Sequence, residues 1–326
     1  MHGKFVHFET FKKITNPYFN SLARTNHQSH KTPITEYRLP PHEMSGRKIL
    51  FFSLVWIFSG LTFTAWSQLP KWKAWEVKGD TLYNHQDFKG AIKFYNKAIS
   101  LSKLKDKAAY RTVYKRAVSY YSIREYSNAI KDLDIFIPAF PEVSQAKLLK
   151  AFIYRELGDD EKQLANLKEA MELEPPSPDL LKWRGLLYLQ KSEYAISKKD
   201  LLLARELGDD PEVETYLGLS YYNLQQRDSA FLSFNKSIEL DATYLPAYLY
   251  AGSISIEDDN FIQGLQYVNL ALRLDPKNKE ATFYKGIALV ELKKTDEGCS
   301  CLNRAFYAGM DDAGDYLKEY CFQTED

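Results

Sequence analysis

Small and large apolar residues recur along this chain with a period of about 34 residues, which is typical of stacked helical units. The small residues that mark the period stand at nearly equal intervals. If each is numbered position 8 of its period, positions 20 and 27 are mostly small and positions 11 and 24 mostly large. These spacings are helical within each half-period, so each period predicts helix, turn, helix, and the repetition predicts a stacked array. The seven residues at position 8 are Gly79, Ala117, Ala151, Gly185, Gly218, Gly252 and Gly286.

Turn and capping residues agree with this register. Gly158 and Asp159 interrupt the helical pattern inside a period, and Ser177 followed by Pro178 is typical of a helix N-terminus. Prolines stand at position 32 in three periods, where a helix cannot easily continue: Pro141, Pro175 and Pro276. The register predicts seven units within residues 72–311, and a capping helix with a tail over 312–326. The units are 72–105, 110–143, 144–177, 178–210, 211–244, 245–278 and 279–311.

The residues at these positions carry a resemblance to a known family. Trp75, Gly79, Ala91, Tyr95 and Ala98 of the first unit match positions of the pattern Trp/Leu, Gly/Ala, Tyr, Ala, aromatic, Ala. The chain thereby resembles the tetratricopeptide repeat family, in its exported bacterial form. The resemblance implies an all-α fold, a right-handed α-solenoid of seven helix-turn-helix repeats with a C-terminal cap. Gln163 at position 20 and Phe136 at position 27 depart from the pattern. The fifth unit repeats the match with Leu217, Gly218, Tyr221, Ala230 and Phe234.

In that family the first helix of each repeat lines an inner groove through positions 5, 9 and 12, which we call the inner stripe. In units 2 to 7, fourteen of these eighteen residues are apolar or aromatic. One interpretation is an apolar groove that accepts a partner segment. The other is that neighbouring helices or a chain end bury the stripe. The candidate partner-groove residues are Tyr114, Val118, Tyr121, Leu148, Phe152, Arg155, Lys182, Leu186, Leu219, Tyr222, Leu249, Phe283 and Ile287.

Polar members of the stripe are few. Position 9 has no Asn, and Arg155 and Lys182 stand almost alone, so the carboxylate clamp of chaperone-binding family members is not expected. In the first unit, Glu76 and Asp80 predict a polar entrance to the stripe.

Charge and the N-terminal segment bear on partners and location. Basic and acidic side chains balance at 43 each, but the segment 1–67 holds 8 basic and 3 acidic ones, which leaves a net charge of −5 on the rest. This argues against a nucleic-acid partner. Residues 1–43 are interpreted as disordered or as the product of an upstream start codon.

Residues 44–67 have the order of a secretory signal peptide. Arg47 and Lys48 precede an apolar run over 49–64, and Ala65-Trp66-Ser67 provides small residues for cleavage. The alternative is an uncleaved anchor spanning 49–66, the one segment through which the protein would contact a membrane. Either interpretation predicts an exported protein, periplasmic or envelope-associated.

The chain offers little catalytic chemistry. His85 is the one histidine after residue 43, and paired aspartates fall in turns without the spacing of a calcium loop. We therefore predict no catalytic residues, no cofactor and no metal site. The predicted function is a non-enzymatic scaffold or adaptor outside the cytoplasm that binds a protein or peptide partner. The alternative is a membrane-tethered envelope assembly factor.

Three cysteines, Cys299, Cys301 and Cys321, lie near the C-terminus. Cys299 lies on the second helix of unit 7 and Cys321 ends the capping helix, so a bridge between them would staple that helix. A pair involving Cys301, or three reduced thiols, are the alternatives.

Overall fold

A computed structural model describes residues 70–322, and every regular element in that range is an α-helix. The predictions for residues 1–43, for the leader at 44–67 and for the span at 49–66 lie outside the described residues.

The described residues divide into two compact units, 70–175 and 176–322. The unit of residues 70–175 holds three helix pairs: α1 Lys71–Asn84, α2 Phe88–Ser102, α3 Lys107–Ser122, α4 Tyr126–Ala139, α5 Ser144–Leu157 and α6 Asp160–Met171.

The unit of residues 176–322 holds four helix pairs and one further helix. Its helices are α7 Pro178–Gln190, α8 Tyr194–Leu207, α9 Pro211–Asn223, α10 Arg227–Leu240, α11 Leu245–Glu257, α12 Phe261–Leu274, α13 Lys279–Glu291, α14 Thr295–Tyr307 and α15 Asp312–Tyr320. The all-α fold of helix-turn-helix repeats is confirmed.

The small residue at position 8 is required by the close approach of the two helices in a pair. A Cβ added to Gly79 would lie 2.5 Å from Cε1 of Tyr95, and one added to Gly218 would lie 2.5 Å from Cε1 of Phe234. Tyr95 and Phe234 occupy position 24 and are buried. The period that dominates the sequence is therefore a packing period, because each small residue makes room for one large one.

The turn inside each pair has the same backbone geometry in all seven repeats. The residue at position 15 has a positive φ, between 61° and 71°, and the amide of position 16 donates to the carbonyl of position 11, as Asp159 N does to Tyr154 O at 2.9 Å. This is the left-handed helix end that glycine favours, and Gly158 has it in the third repeat. Residues with side chains adopt it in the other six: Gln86, Arg124, Ser192, Gln225, Asp259 and Lys293.

Helix starts follow the capping residues. Ser177 accepts a hydrogen bond from the Leu180 amide at the start of α7, as Ser177-Pro178 predicts. Asp210 does the same for α9, accepting from the amides of Glu212 and Val213.

An ion pair within the repeat recurs in both units. Arg116 and Arg184, both at position 7, each bind the carboxylate at position 23 of the same repeat with two nitrogen atoms. The carboxylates belong to Asp132 and Asp200, and the N···O distances are 2.6–2.8 Å. Both aspartates are buried, so each pair links the two helices of its repeat by a bidentate contact.

Candidate functional site

The structure places most of the inner stripe in the interior. Of the thirteen candidate residues, five are half-buried: Tyr121, Leu148, Arg155, Lys182 and Leu186. The other eight are buried: Tyr114, Val118, Phe152, Leu219, Tyr222, Leu249, Phe283 and Ile287. An open apolar groove along the whole stripe does not fit this burial, and the role of these residues as partner contacts stays a prediction.

The buried members belong to hydrophobic clusters with other helices. In the unit 70–175, Tyr114 and Val118 pack with Phe136 and Leu149, and the rings of Tyr114 and Phe136 are 4.9 Å apart. Phe136, the departure at position 27, thus fills space beside the stripe.

At the end of the unit 176–322 the stripe is covered by the last helix. The ring of Phe283 lies 5.4 Å from that of Tyr316 on α15, and Ile287 belongs to the same cluster as Leu317. Earlier in this unit, Leu249 packs with Ala271. These stripe residues are helix-packing residues because a later helix lies against them.

The half-buried members in the unit 70–175 form an aromatic and charged patch. The Arg155 guanidinium lies over the Phe152 ring at 5.4 Å, and its Nη2 is 3.5 Å from Glu156 Oε1. The Tyr121 and Tyr126 rings are 6.0 Å apart, and the Tyr126 hydroxyl donates to Glu156 Oε2 at 3.4 Å. Burial lowers the pKa of Arg155, and burial together with Glu156 raises the pKa of Tyr121 to about 12.

Lys182, the other cation of the stripe, is engaged within its own unit. Its Nζ lies 2.7 Å from Asp210 Oδ2 and 2.9 Å from Glu212 Oε2. Burial lowers the pKa of Lys182, but these two carboxylates outweigh burial and the pKa is raised. Lys182 therefore serves to link α7 with the start of α9.

The polar entrance expected at Glu76 and Asp80 is an internal ion network. Glu76 is 1 % exposed and binds Lys73 and Lys115, the latter at 2.9 Å. Asp80 binds the same Lys115 at 2.8 Å and accepts a hydrogen bond from the Tyr95 hydroxyl at 2.9 Å. Burial raises the pKa of Glu76, but the two lysines outweigh burial and lower it. Lys115 lies on the second repeat, so the sequence of the first repeat alone does not indicate that Lys115 binds Glu76 and Asp80.

Each compact unit has a tyrosine of the inner stripe next to a glutamate, and the two residues of each pair have the same sequence separation. Tyr121 lies beside Glu156 in the unit 70–175, and Tyr222 hydrogen-bonds to Glu257 in the unit 176–322. In both pairs the tyrosine is at position 12 of one repeat and the glutamate at position 13 of the next. The glutamates are not among the predicted site residues because position 13 lies outside the stripe as the sequence defines it.

The cysteines form one bond. Cys299 on α14 and Cys321 at the end of α15 are joined by a disulfide, with their Cα atoms 5.8 Å apart, and Cys301 is a free cysteine. The bond fixes the end of a nine-residue helix to its neighbour.

Within residues 70–322, no group of three or more His, Cys, Asp and Glu side chains is arranged to hold a metal ion. Over the same residues, no helix is both long enough and apolar enough to span a membrane.

These helix pairs, with a small residue at position 8 against a large one at position 24, define a helical-repeat protein. A family model described as "Tetratricopeptide repeat" matches residues 73–103, 144–177 and 217–244. The chain contains tetratricopeptide repeats.

Two relatives found by sequence are named for the same repeats. The chain is 23 % identical over 154 residues to human tetratricopeptide repeat protein 6, which covers 47 % of this chain and 30 % of that protein. It is 25 % identical over 241 residues to a TPR repeat-containing protein of Methanocaldococcus jannaschii, covering 67 % and 40 %. The chain thus spans less than half the length of these curated relatives.

Solved structures of low sequence identity have the same fold. A tetratricopeptide repeat protein from Parabacteroides merdae has a TM-score of 0.53 at 14 % identity, covering 76 % of this chain and 97 % of that one. The C-terminal part of a TPR repeat-containing protein from Cytophaga hutchinsonii has a TM-score of 0.57 at 19 % identity, covering 76 % and 99 %.

Proposed function

We propose that this chain is a non-enzymatic scaffold or adaptor that binds a protein partner on the inner side of its repeats, outside the cytoplasm. The observation that carries the proposal is the repeat array itself. Stacked helix pairs provide extended surfaces on which other proteins bind, without any need for a catalytic centre.

The half-buried members of the inner stripe are the residues that a partner would contact. Tyr121, Leu148 and Leu186 combine apolar surface with access, whereas Leu219 and Phe283 are already packed within the protein. Tyrosine is well suited to such a contact because it buries a large ring and keeps a hydrogen-bonding hydroxyl.

Two features support a location outside the cytoplasm. The order of charged, apolar and small residues over 44–67 is typical of a secretory leader. The Cys299–Cys321 disulfide is of the kind that persists in oxidising compartments. Sequencing the N-terminus of the chain recovered from cells tests this part, since a start at Gln68 means cleavage.

The second candidate is a membrane-tethered assembly factor. It is favoured by the length of the apolar segment, which reaches the lower edge of a membrane span if it is counted from residue 49 through Trp66. Retention of the leader in the membrane fraction would select this candidate.

The binding surface is tested with a partner first captured by crosslinking in the native envelope and then purified. Leu148→Glu and Leu186→Glu alter the inner side, one in each compact unit. Ile135→Glu and Leu232→Glu are the matched controls, on second helices, at residues that are 41 % and 70 % exposed. We expect at least tenfold weaker binding for the inner variants, unchanged binding for the controls, and equal helicity for all four. Loss of binding confined to the controls would refute the inner surface.

A further inference from the structure

Glu257 is a carboxylate set into the inner side of the unit 176–322. It is the last residue of α11 and follows Ile256, a buried member of the stripe. The side chain is half-buried, and its Oε2 is buried without a hydrogen-bond partner among the described residues. Such an oxygen is desolvated, and no protein hydrogen bond compensates for the water that it has lost.

Among the described residues, neutral hydroxyls and a second acid surround this carboxylate. The Tyr222 hydroxyl of α9 hydrogen-bonds to Glu257, and Tyr284 of α13 lies within its electrostatic reach. The following residue, Asp258, is also acidic. Burial, followed by the charge of Asp258, raises the pKa of Glu257.

The cation that acts on Glu257 is already bound to its neighbour. Arg227 holds Asp258 with two nitrogen atoms, Nε at 2.7 Å from Oδ2 and Nη2 at 2.6 Å from Oδ1. This bidentate pair uses the geometry in which a guanidinium binds one carboxylate best. Arg227 therefore compensates Asp258 first and Glu257 only weakly.

The equivalent glutamate of the other unit shows what a compensated site looks like. Glu156 has Arg155 at 3.5 Å and accepts from the Tyr126 hydroxyl. The residue next to Glu257 at the position of Arg155 is Ile256, so the second unit lacks this internal counter-charge.

The charged residues at the stripe of the unit 176–322 also favour a cationic over an acidic ligand. Its one cation, Lys182, is bound by Asp210 and Glu212. A partner carboxylate would meet these acids, whereas a partner cation would find an acceptor at Glu257.

We infer that the inner side of the unit 176–322 binds a partner segment through a lysine or arginine side chain, with Glu257 as its counter-charge. In the partner segment, apolar residues flank this lysine or arginine. The inference rests on the proposed function and specifies the chemistry of the partner. The glutamate side chain has three rotatable bonds, so its carboxylate can turn toward a cation arriving at the half-buried edge. Tyr222 then fixes the second carboxylate oxygen.

The test uses pools of fluorescein-labelled eleven-residue peptides with randomised apolar and hydroxyl-bearing flanks. The central residue is lysine in one pool, norleucine in the second and glutamate in the third. Norleucine keeps the hydrocarbon stem and removes the charge. Fluorescence anisotropy with the purified full chain should show at least tenfold tighter binding of the lysine pool than of the norleucine pool.

Variants assign that preference to one residue. Glu257→Gln should abolish the preference, and Glu257→Lys should transfer it to the glutamate pool. The matched control, Glu239→Gln, makes the same charge change at an exposed carboxylate on α10 and should leave the preference intact. Circular dichroism on all three variants verifies that they are folded.

Each other outcome overturns the inference. Equal binding of the lysine and norleucine pools would mean that the surface binds partners without a cation, and the proposed function would stand. A preference that survives Glu257→Gln would place the counter-charge elsewhere. If no pool binds, the inference fails, while the captured partner and the Leu186→Glu variant continue to test the proposed function separately.

Discussion

The two compact units each bury a glutamate on the first helix of a repeat, but they surround it differently. Glu76 in the unit 70–175 contacts two lysines, Lys73 and Lys115, and its pKa is lowered. Glu214 in the unit 176–322 has the Arg205 Nε at 3.9 Å and an Oε2 without a partner among the described residues. Burial is the main reason why the pKa of Glu214 is raised.

Burial alone does not decide the energetic role of a carboxylate. Both side chains are almost inaccessible, at 1 % and 3 % exposure. The counter-charges differ, and so does the direction of the pKa shift. A difference in counter-charge alone separates Glu156, which has Arg155 beside it, from Glu257, beside which Arg227 binds Asp258.

The largest expected effect comes from placing a carboxylate at a stripe position that is packed in the interior. Leu219→Glu and Phe152→Glu insert a charge at stripe positions that are 2 % and 7 % exposed. We expect each to cost more than about 4 kcal/mol of unfolding free energy and to unfold its repeat. Hydrogen exchange measured helix by helix checks this. Native protection in either variant would mean that the residue is accessible after all.

Glu76→Gln removes the charge that two lysines share. Lys115 retains Asp80, but Lys73 loses its partner, and we expect a loss of about 2–3 kcal/mol. Denaturant unfolding of the variant and of Glu239→Gln, a surface control, provides the measurement. An unchanged midpoint would show that the network contributes nothing.

Glu214→Gln should act in the opposite direction. An uncharged amide relieves the cost of a buried charge, and we expect a gain of about 1 kcal/mol at neutral pH, measured by the same denaturant unfolding. If the variant is instead destabilised, the attraction of Arg205 and Lys236, together with the hydrogen bond to Ser233, outweighs burial.

The pH dependence follows from the same two shifts. Glu76, with a lowered pKa, contributes stability above its unfolded pKa and loses it as the pH falls through the folded pKa. Glu214, with a raised pKa, contributes stability below its unfolded pKa and loses it as the pH rises through the folded pKa. We therefore measure the melting temperature of the wild type and of each variant from pH 3 to 7. The difference between wild type and Glu76→Gln should change with pH in the opposite direction to the difference between wild type and Glu214→Gln. Parallel slopes would remove the distinction between the two units.

The smallest expected effect concerns the turns, where the two units should behave alike. Arg124→Gly and Gln225→Gly replace side chains at a left-handed φ of 61° and should each stabilise by about 0.5–1 kcal/mol, as measured by thermal unfolding. Gly158→Ala, at φ 71°, should destabilise by a similar amount. A loss of stability in the two glycine variants would show that the turn side chains make contacts that outweigh backbone strain.

The fold could be predicted because its signal is local and repeated. Gly218 and Phe234 occupy positions 8 and 24 of one repeat, and all six of the remaining repeats have the same spacing of a small and a large residue. Glycine marks the left-handed turn at position 15 only at Gly158, and of the other six residues only Asp259 is of a type enriched in that conformation.

The candidate site was harder to predict because it depends on contacts between repeats. Glu76 and Lys115 are 39 residues apart, and nothing in either repeat alone indicates their contact. The burial of Phe283 depends on Tyr316 of α15, a helix outside the seven repeats. A periodic pattern identifies which residues share a face but not what covers that face.

The most direct test of partner binding on the inner side is site-specific photo-crosslinking of the full chain in its native cells. A photoreactive amino acid replaces the half-buried inner residues Tyr121, Leu148 and Leu186 in turn, and Ile135 and Leu232 serve as exposed controls. We expect crosslinks to one partner protein from the inner positions and none from the controls. Crosslinks to that partner from Ile135 or Leu232, with none from the inner positions, would contradict binding on the inner side.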